Sequence, residues 1–275
     1  MTDVLSRLRR VRRCGSGWSA ACPAHDDRRN SLSVAVRDGR VLLYCHASCE
    51  FSQILRALNI SRPDLRVEGG TIPVRSREER IRSARRLWEK SQPPTGTVVE
   101  EYLAARSITG PIPRSIRSVG LLMHDEYGWP FPALVAGLQD AAGAFTAVSV
   151  TWLCADGSGK APADPVRKIY GPYRGSSVRL APALETLVVC EGIETGLSIV
   201  QACSELPVWC ALSATNLRQI ALPQSVREVF IAADGDVAGE AAAQQAAQRF
   251  LREGRRVRVA RPDREGSDFN DYLTK

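Results

Sequence analysis

The chain predicts an α/β protein whose C-terminal third is a mostly parallel sheet flanked by helices, preceded by an α+β region and a small metal-stabilised module. Three observations carry this. From residue 187 onward, apolar strand-like runs alternate with helical patterns, over 187–190, 193–204, 208–212, 216–221, 226–233, 238–253, 256–260 and a last helix near 268–274. Such βα alternation builds a parallel sheet with helices packed on its faces. Acids beside glycine stand at the ends of two of these runs, Glu191-Gly192 after Leu187–Cys190 and Asp234-Gly235-Asp236 after Val229–Ala233. Two close pairs of Cys and His residues crowd into residues 22–49.

The front of the chain is irregular by comparison. Leu5, Leu8 and Val11 among arginines predict a short basic helix within residues 1–16, and short strands and turns follow over 17–49. Within them Ser31–Val36 and Val41–Tyr44 read as a hairpin. Phe51, Ile54, Leu55 and Leu58 share one helical face, so a short helix is expected over Phe51–Leu58. Residues 60–74 have linker composition, and an Arg/Glu-rich helix over 76–91 would bury Ile81, Leu87 and Trp88. Thr97 and Glu100 form a capping-box pattern that starts a helix near Val98 and lets it run to Ser107. Residues 115–153 alternate as strands, with Ala133–Leu138 and Ala144–Leu153 joined through Asp140–Gly143, and a Gly/Pro/Lys-rich segment follows from 155 to 177. The expected division is 1–62, a zinc ribbon; 63–183, an intermediate α+β region; and 184–275, a catalytic domain.

The 275 residues are 44% hydrophobic and 24% charged, as in an ordinary soluble protein. No apolar stretch approaches the ~20 residues that span a bilayer. The N-terminus lacks the apolar segment of a secretion signal. A cytoplasmic protein with no membrane partner is expected. The net charge of +7 is unevenly spread: residues 1–90 carry an excess of nine positive charges, whereas 184–275 carry an excess of three negative ones. A basic front suits a polyanion and an acidic rear suits a cation. Of the eight cysteines, Cys154, Cys190, Cys203 and Cys210 fall in or near apolar runs and read as small core residues.

The other cysteines have ligand spacing. Cys22-Pro-Ala-His25 is followed, nineteen residues on, by Cys45-His-Ala-Ser-Cys49, the arithmetic of a structural zinc ribbon. Cys22, His25, Cys45 and Cys49 are the expected ligands; His46 could replace Cys49, and Cys14 could supply a fourth ligand. Arg28, Arg29, Arg37 and Arg40, with Trp18 and Tyr44 for stacking, would suit single-stranded DNA. At the rear, a parallel sheet sets its C-terminal strand ends side by side, which brings Glu191, Asp234 and Asp236 together and Asp268 near them. Carboxylates so gathered repel one another unless a hard cation, Mg²⁺ or Mn²⁺, lies between them, so phosphoryl-transfer chemistry is the leading expectation.

These residues carry a resemblance. Cys-Pro-Ala-His-Asp-Asp, Ser-Leu-Ser-Val and Tyr-Cys-His-Ala-Ser-Cys resemble the zinc-binding domain of bacterial and phage DNA primases. Val188-Val-Cys-Glu-Gly192 with Ala232-Ala-Asp-Gly-Asp236 resembles the Toprim domain shared by primases and topoisomerases. Zinc ribbon, intermediate region and Toprim in that order resemble the short primases of phages, plasmids and integrative elements, and Lys160-Ala-Pro-Ala-Asp-Pro and Lys168-Ile-Tyr-Gly-Pro are similar to their intermediate region. The resemblance implies a Toprim-type fold, short RNA primers made from NTPs on single-stranded DNA, structural Zn²⁺ and catalytic Mg²⁺ or Mn²⁺. It implies Glu191 as general base or acid and Asp234, Asp236 and Asp268 as metal ligands. Lys160, Lys168 and Arg174 would then contact nucleotide or template. The second zinc pair has one residue more than the commonest form, and Thr195 stands where the family often has a second acid, with Glu194 adjacent. The chain has no Walker A sequence, so a separate replicative helicase is the implied partner. Two other readings use the same residues, a non-catalytic zinc/Toprim recombination mediator that binds single-stranded DNA, and a Toprim nuclease.

Overall fold

A computed structural model describes residues 2–14, 17–37, 39–66, 75–125, 127–264 and 266–273, which divide into two units, Met1–Ser76 and Arg77–Lys275. Residues 67–74 of the expected linker lie outside the described residues, as does Thr274 of the expected last helix.

The first unit opens with α1 (Thr2–Ser6) and continues as four antiparallel strands in chain order, β1 (Arg9–Cys14), β2 (Gly17–Ala21), β3 (Leu32–Arg37) and β4 (Arg40–Cys45). The basic helix expected through residue 16 therefore stops ten residues early, and its second half is β1. Four arginines on a strand that pairs only with β2 keep their charges in water while the backbone completes the β2 ladder. The β3/β4 hairpin is as expected, Ser33 opposite Tyr44 and Val36 opposite Val41. Then α2 (Phe51–Leu58) packs Ile54, Leu55 and Leu58 against Val34, Val41 and Leu43 of the sheet. Glu50 and Gln53 cap it reciprocally, and Asn59 ends it in the left-handed conformation. A 3-10 turn (Pro63–Leu65) closes the unit.

The second unit begins with α3 (Arg77–Glu89) and α4 (Val98–Ala105). In α3 only Ala84 is fully buried, while Trp88 lies flat on Gly137, where a Cβ would stand 3.2 Å from the ring. Thr97 caps α4 through Val99 N, but Glu100 reaches past it to Gly96 N (2.6 Å), so the box is not reciprocal. Next come β5 (Ile116–Met123), β6 (Pro130–Gln139), β7 (Phe145–Trp152), β8 (Arg167–Tyr170) and β9 (Ser177–Arg179). The regular βα part is β10 (Thr186–Cys190), α5 (Ile193–Ala202), β11 (Val208–Cys210), α6 (Ala214–Leu217), β12 (Glu228–Ala232), α7 (Val237–Arg252) and β13 (Arg256–Ala260), followed by a 3-10 turn (Phe269–Tyr272) in place of the last helix.

All nine strands of this unit form one sheet in the order β13-β12-β10-β11-β9-β6-β7-β8, with β5 beside β6. The first four are parallel, as the sequence predicts; β9 is antiparallel to both β11 and β6 and splices the intermediate region onto them. Central β10 is covered on both faces, which is why Leu187 to Cys190 are all apolar and at most 4% exposed. On one face α7 lays Ala242, Ala243, Ala246 and Phe250 over Leu187, Val189 and Ile231; on the other, Ile193 and Leu197 of α5 join Tyr102 and Leu103 of α4. Among the described residues no helix is long and apolar enough to cross a membrane.

Candidate functional site

The acidic centre follows from strand register. Cys190 pairs with Ala232 across parallel β10 and β12, so Glu191 and the Asp234-Gly235-Asp236 turn leave the sheet at the same rim. Gly235 then ties the rim to a later loop: its N–H donates to Ser267 O (2.9 Å) and its carbonyl accepts from Gly266 N (2.8 Å). A Cβ on Gly235 would stand 2.7 Å from Ser267 O and 3.0 Å from Arg264 O, so only glycine allows this approach. That contact delivers Asp268 to the centre. Gly235→Ala is expected to push the loop away, lowering the melting temperature by roughly 5 °C and weakening Mg²⁺ binding, with calorimetry and a Mg²⁺ titration as the measurements.

Two of the acids, Asp236 and Asp268, are held by the backbone that follows them. Asp236 Oδ1 accepts from Gly239 N (2.6 Å) as the N-cap of α7. Asp268 Oδ1 accepts from Asn270 N (2.7 Å) and Asp271 N (3.2 Å), while Asp271 returns a bond to Asp268 N. Each cap uses one oxygen and leaves the other available. Asn270, buried, fixes this turn by donating to Arg106 O and Ser198 Oγ, both at 2.9 Å.

The electrostatics report the crowding. Burial, then the charges of Asp234 and Asp236, push Glu191 up to about 7, with Arg167 and Arg218 offsetting part of the rise. Burial, then Asp268 and Asp236, push Asp234 up to about 6. Among the described residues, Glu191 Oε1 and Asp234 Oδ1 are both buried with no hydrogen-bond partner. A carboxylate oxygen sealed from water without a donor is costly, and a divalent cation with oxygen preference is the species that satisfies several at once. Among the described residues only Cys22, His25, Cys45 and Cys49 bring three or more ligand atoms within reach of one ion; Asp234, Asp236 and Asp268 act on one another through charge and carry the oxygen donors that would hold Mg²⁺ or Mn²⁺. A cleft of about 430 Å³ opens beside them, lined by Asp236, Glu240, Arg261 and Arg264 among others.

The basic residues singled out in the sequence divide. Lys160 lines a second cleft of about 390 Å³ with Arg167 and Glu194, and its Nζ lies 2.9 Å from Glu194 Oε1, which also accepts from Tyr102 OH (2.7 Å). Burial would raise Glu194, but Lys160 and Tyr102 outweigh it and hold the carboxyl at about 2. Glu194 is thus committed to Lys160, and Thr195 is buried in α5. Lys168 turns to Asp125 Oδ2 (3.1 Å), and Arg174 bonds Gln219 Oε1. The cations that act on Glu191 are Arg167 and Arg218, which the sequence did not single out. Neither sits in a recognisable motif; only the fold brings them to the rim.

In the first unit, one ligand atom from each of Cys22, His25, Cys45 and Cys49 lies within 4.8 Å of the others, a composition and size that fit zinc. His25 Nδ1 faces Cys49 Sγ at 3.2 Å and Cys45 Sγ at 3.9 Å, while Nε2 faces Ser31 Oγ at 3.4 Å. Burial pushes Cys45 upward, yet the Ser31 hydroxyl and the backbones of Cys49 and Ala47 outweigh it and bring the thiol to about 7, toward the thiolate that binds metal. Asp27, unremarked in the sequence, organises the knuckle by accepting from Cys22 N (2.7 Å), Arg29 N (2.9 Å) and both Ser31 N and Oγ. His46 bonds Ser33 Oγ instead (2.8 Å), and Cys14 is exposed on β1. Trp18 and Tyr44 do not share a platform. Trp18 is opposite buried Val34 and capped by Arg13, whereas Tyr44 is opposite Ser33 and 65% exposed. Arg28, Arg29 and Arg40 are exposed; the side chain of Arg37 lies outside the described residues.

Comparison with known proteins agrees with the C-terminal architecture. Residues 186–275 match the model of the Toprim domain, and residues 78–180 match a domain of unknown function (DUF7146). No curated protein matches the chain. Among solved structures, the zinc-binding and RNA polymerase domains of the Aquifex aeolicus primase are similar at 15% identity, over 99% of this chain and 79% of that one, with a TM-score of 0.44. The primase fragment of the bacteriophage T7 primase-helicase is similar at 16% identity, over 91% of this chain and 92% of that one, with a TM-score of 0.43. The E. coli primase catalytic core is similar at 16% identity, over 70% and 69%, with a TM-score of 0.37. At the end of the chain, then, the strand order, the rim of acids and the matching family model coincide: residues 186–275 are a Toprim domain.

Proposed function

We propose that the protein is a DNA primase that joins ribonucleotides on a single-stranded DNA template by metal-dependent nucleotidyl transfer. The observation that carries this reading is the mutual charge of Glu191, Asp234, Asp236 and Asp268 at one rim of a Toprim domain, with two of their oxygens buried and without a donor among the described residues. The Cys₃His cluster in the same chain supports a templating role, with Zn²⁺ as a structural ion. In the reaction the 3′-hydroxyl of one nucleotide attacks the α-phosphorus of the next, and pyrophosphate leaves. A Mg²⁺ or Mn²⁺ ion supplies charge neutralisation on the phosphates and a lowered hydroxyl pKa when bound. Asp234, Asp236 and Asp268 would provide its oxygens, and the caps of Asp236 and Asp268 fix where theirs lie. Glu191, raised to about 7, takes the hydroxyl proton at neutral pH, where a base of that strength is most effective. Lys160 presents a cation in the adjoining cleft with Glu194 setting its position. NTPs and single-stranded DNA are the substrates on this reading, the cytoplasm is the compartment, and a separate replicative helicase is the partner.

Incubation of the purified protein with NTPs, Mg²⁺ or Mn²⁺ and a randomised single-stranded template library is expected to give short RNA on a denaturing gel. DNA binding without synthesis on any template would instead support the recombination-mediator reading, and strand cleavage the nuclease reading.

A further inference from the structure

We propose that Tyr102 and Glu194 are positioning residues for Lys160: through them a turn between β7 and β8 holds the Lys160 ammonium in the second cleft as a phosphate-binding group. The identity of the ligand rests on the nucleotidyl-transfer reading; the positioning does not.

The turn is built to present one lysine. Cys154 N donates to Gly159 O (2.9 Å) and Gly157 N to Cys154 O (3.1 Å), while Leu153 and Lys160 pair as an isolated bridge. Inside it, Asp156 Oδ1 accepts from Ser158 N (3.0 Å) and Ser158 Oγ (2.7 Å). Gly157 (φ 69°) seats the turn on α4: a Cβ there would stand 2.7 Å from Glu101 Cβ and 3.1 Å from Tyr102 N. Tyr102, at that contact, is fully buried and donates its hydroxyl to Glu194 Oε1 (2.7 Å). The same oxygen takes Lys160 Nζ at 2.9 Å. Turn, α4 and α5 thus close a ring around one carboxylate oxygen.

Such a ring serves position more than stability. A buried carboxylate paired with an ammonium contributes little net stabilisation, because desolvating the charges offsets their attraction. The Glu194 side chain is 14% exposed, yet that of Lys160 is 42% exposed and lines the cleft, so the pair leaves an ammonium with further donors open to a ligand. Tyr102 stays a donor, since burial and the Glu194 charge both push its hydroxyl well up. Hydrogen bonds tie the cleft to the acidic rim: Arg167, on the same wall, donates Nη2 to Leu212 O (2.7 Å), and Leu212 N donates to Glu191 O (2.9 Å). A fixed ammonium and a fixed guanidinium on one wall suit the oxyanions of a phosphate. Asp164 and Glu194 line the cleft too and balance these cations, so a phosphate partly neutralised by Mg²⁺ fits it better than a bare polyanion. The phosphate belongs either to the triphosphate of a nucleotide or to the phosphodiester of a strand.

Binding measurements separate the two sources without requiring turnover. Titration calorimetry would follow Mg²⁺–pyrophosphate, Mg²⁺–ATP and a single-stranded oligonucleotide with Mg²⁺ against the wild type, Tyr102→Phe, Glu194→Gln and the double variant Lys160→Met/Glu194→Gln, which removes the pair without stranding a buried charge. The double variant is expected to lose tenfold or more in pyrophosphate and ATP affinity. Tyr102→Phe should lose roughly threefold or more, and should lose nothing further when added to the double variant, because it acts through Lys160. Glu194→Gln separates position from charge: deleting an anion from an unorganised cleft would tighten phosphate binding, whereas deleting the anchor of Lys160 loosens it, and the loss is expected. In a priming assay Tyr102→Phe should raise KM for the nucleotide more than it lowers kcat. Losses confined to the oligonucleotide assign the phosphate to the strand and still support the proposal. Unchanged affinity for all three probes in the double variant, no binding of any by the wild type, tighter binding by Glu194→Gln, or an equal loss from Tyr102→Phe with and without Lys160 overturns it. A wild type that makes no RNA but shows the expected pattern with pyrophosphate keeps the positioning device and discards the primase reading.

Discussion

Glu191→Gln is expected to abolish primer synthesis and, in the same protein, to raise the stability of the metal-free fold at pH 8. The first effect follows from removing the proton acceptor, a loss on the order of 10³-fold or more. The second follows from linkage. Folding raises the Glu191 carboxyl from 4.5 to about 7, so the folded state holds its proton more tightly than the unfolded chain does. The stabilisation this gives is complete below about pH 4.5 and is lost as the pH climbs through 7. After allowance for partial exposure, the resulting strain at pH 8 is about 1–2 kcal/mol. Gln carries no charge to repel Asp234, so its melting curve should be flatter between pH 5 and 8. Asp234→Asn should behave alike, and should also lose the rise in melting temperature that Mg²⁺ gives the wild type. Single-stranded DNA binding should survive both substitutions. Calorimetric scans at several pH values with and without Mg²⁺, beside a gel assay for RNA, measure all of this. Wild-type synthesis in both variants would remove the proposed active site.

Stripping zinc, or replacing Cys45 with Ser, is expected to unfold residues 1–66 while the second unit keeps its melting transition. The first unit has a small core, chiefly Leu32, Val34, Val41, Leu43, Ile54 and Leu58. A module of this size depends on its metal, whose apparent binding free energy of roughly 10 kcal/mol or more becomes folding free energy. Without the ion, three sulfurs and an imidazole are left packed together and the knuckle that Asp27 organises has no reason to close. Limited proteolysis should degrade the front of the chain and spare a fragment beginning near Arg77, and elemental mass spectrometry should show about one equivalent of zinc lost. A first unit that melts identically with and without chelator would contradict a structural metal.

What could be read from the sequence was whatever is repeated along a short stretch. Leu187–Cys190 and Val229–Ala233 announce buried strands because both faces need apolar side chains, and the acids at their ends mark the rim. The Cys/His pairs announce their site because ligand spacing is local. What escaped depends on partners far away in the chain. Strand β1 carries four arginines and resembles a basic helix until its pairing with β2 is known. Strand β9 is only Ser-Val-Arg, too short to show any period. Arg167 at the start of β8 and Arg218 at the end of α6 act on Glu191 by charge only once the sheet has formed, and Glu194 is withdrawn from the acidic group by Lys160 and by Tyr102, ninety-two residues away. Asp27 sits beside His25 in the sequence, yet its role appears only once the turn has folded round it.

The three residues of β9 have a practical consequence for anyone who would dissect this protein. The two matching domain models, 78–180 and 186–275, part just after these residues and invite a cut between them. A cut there would leave the C-terminal piece with the open flank of β11, including Trp209 and Cys210, where Val178 and Arg179 had been zipped on. The other piece would keep Val178 paired with Leu138 and bare on its opposite flank. Bare strand flanks of that kind self-associate, so the halves should precipitate when made apart and regain solubility only when co-expressed.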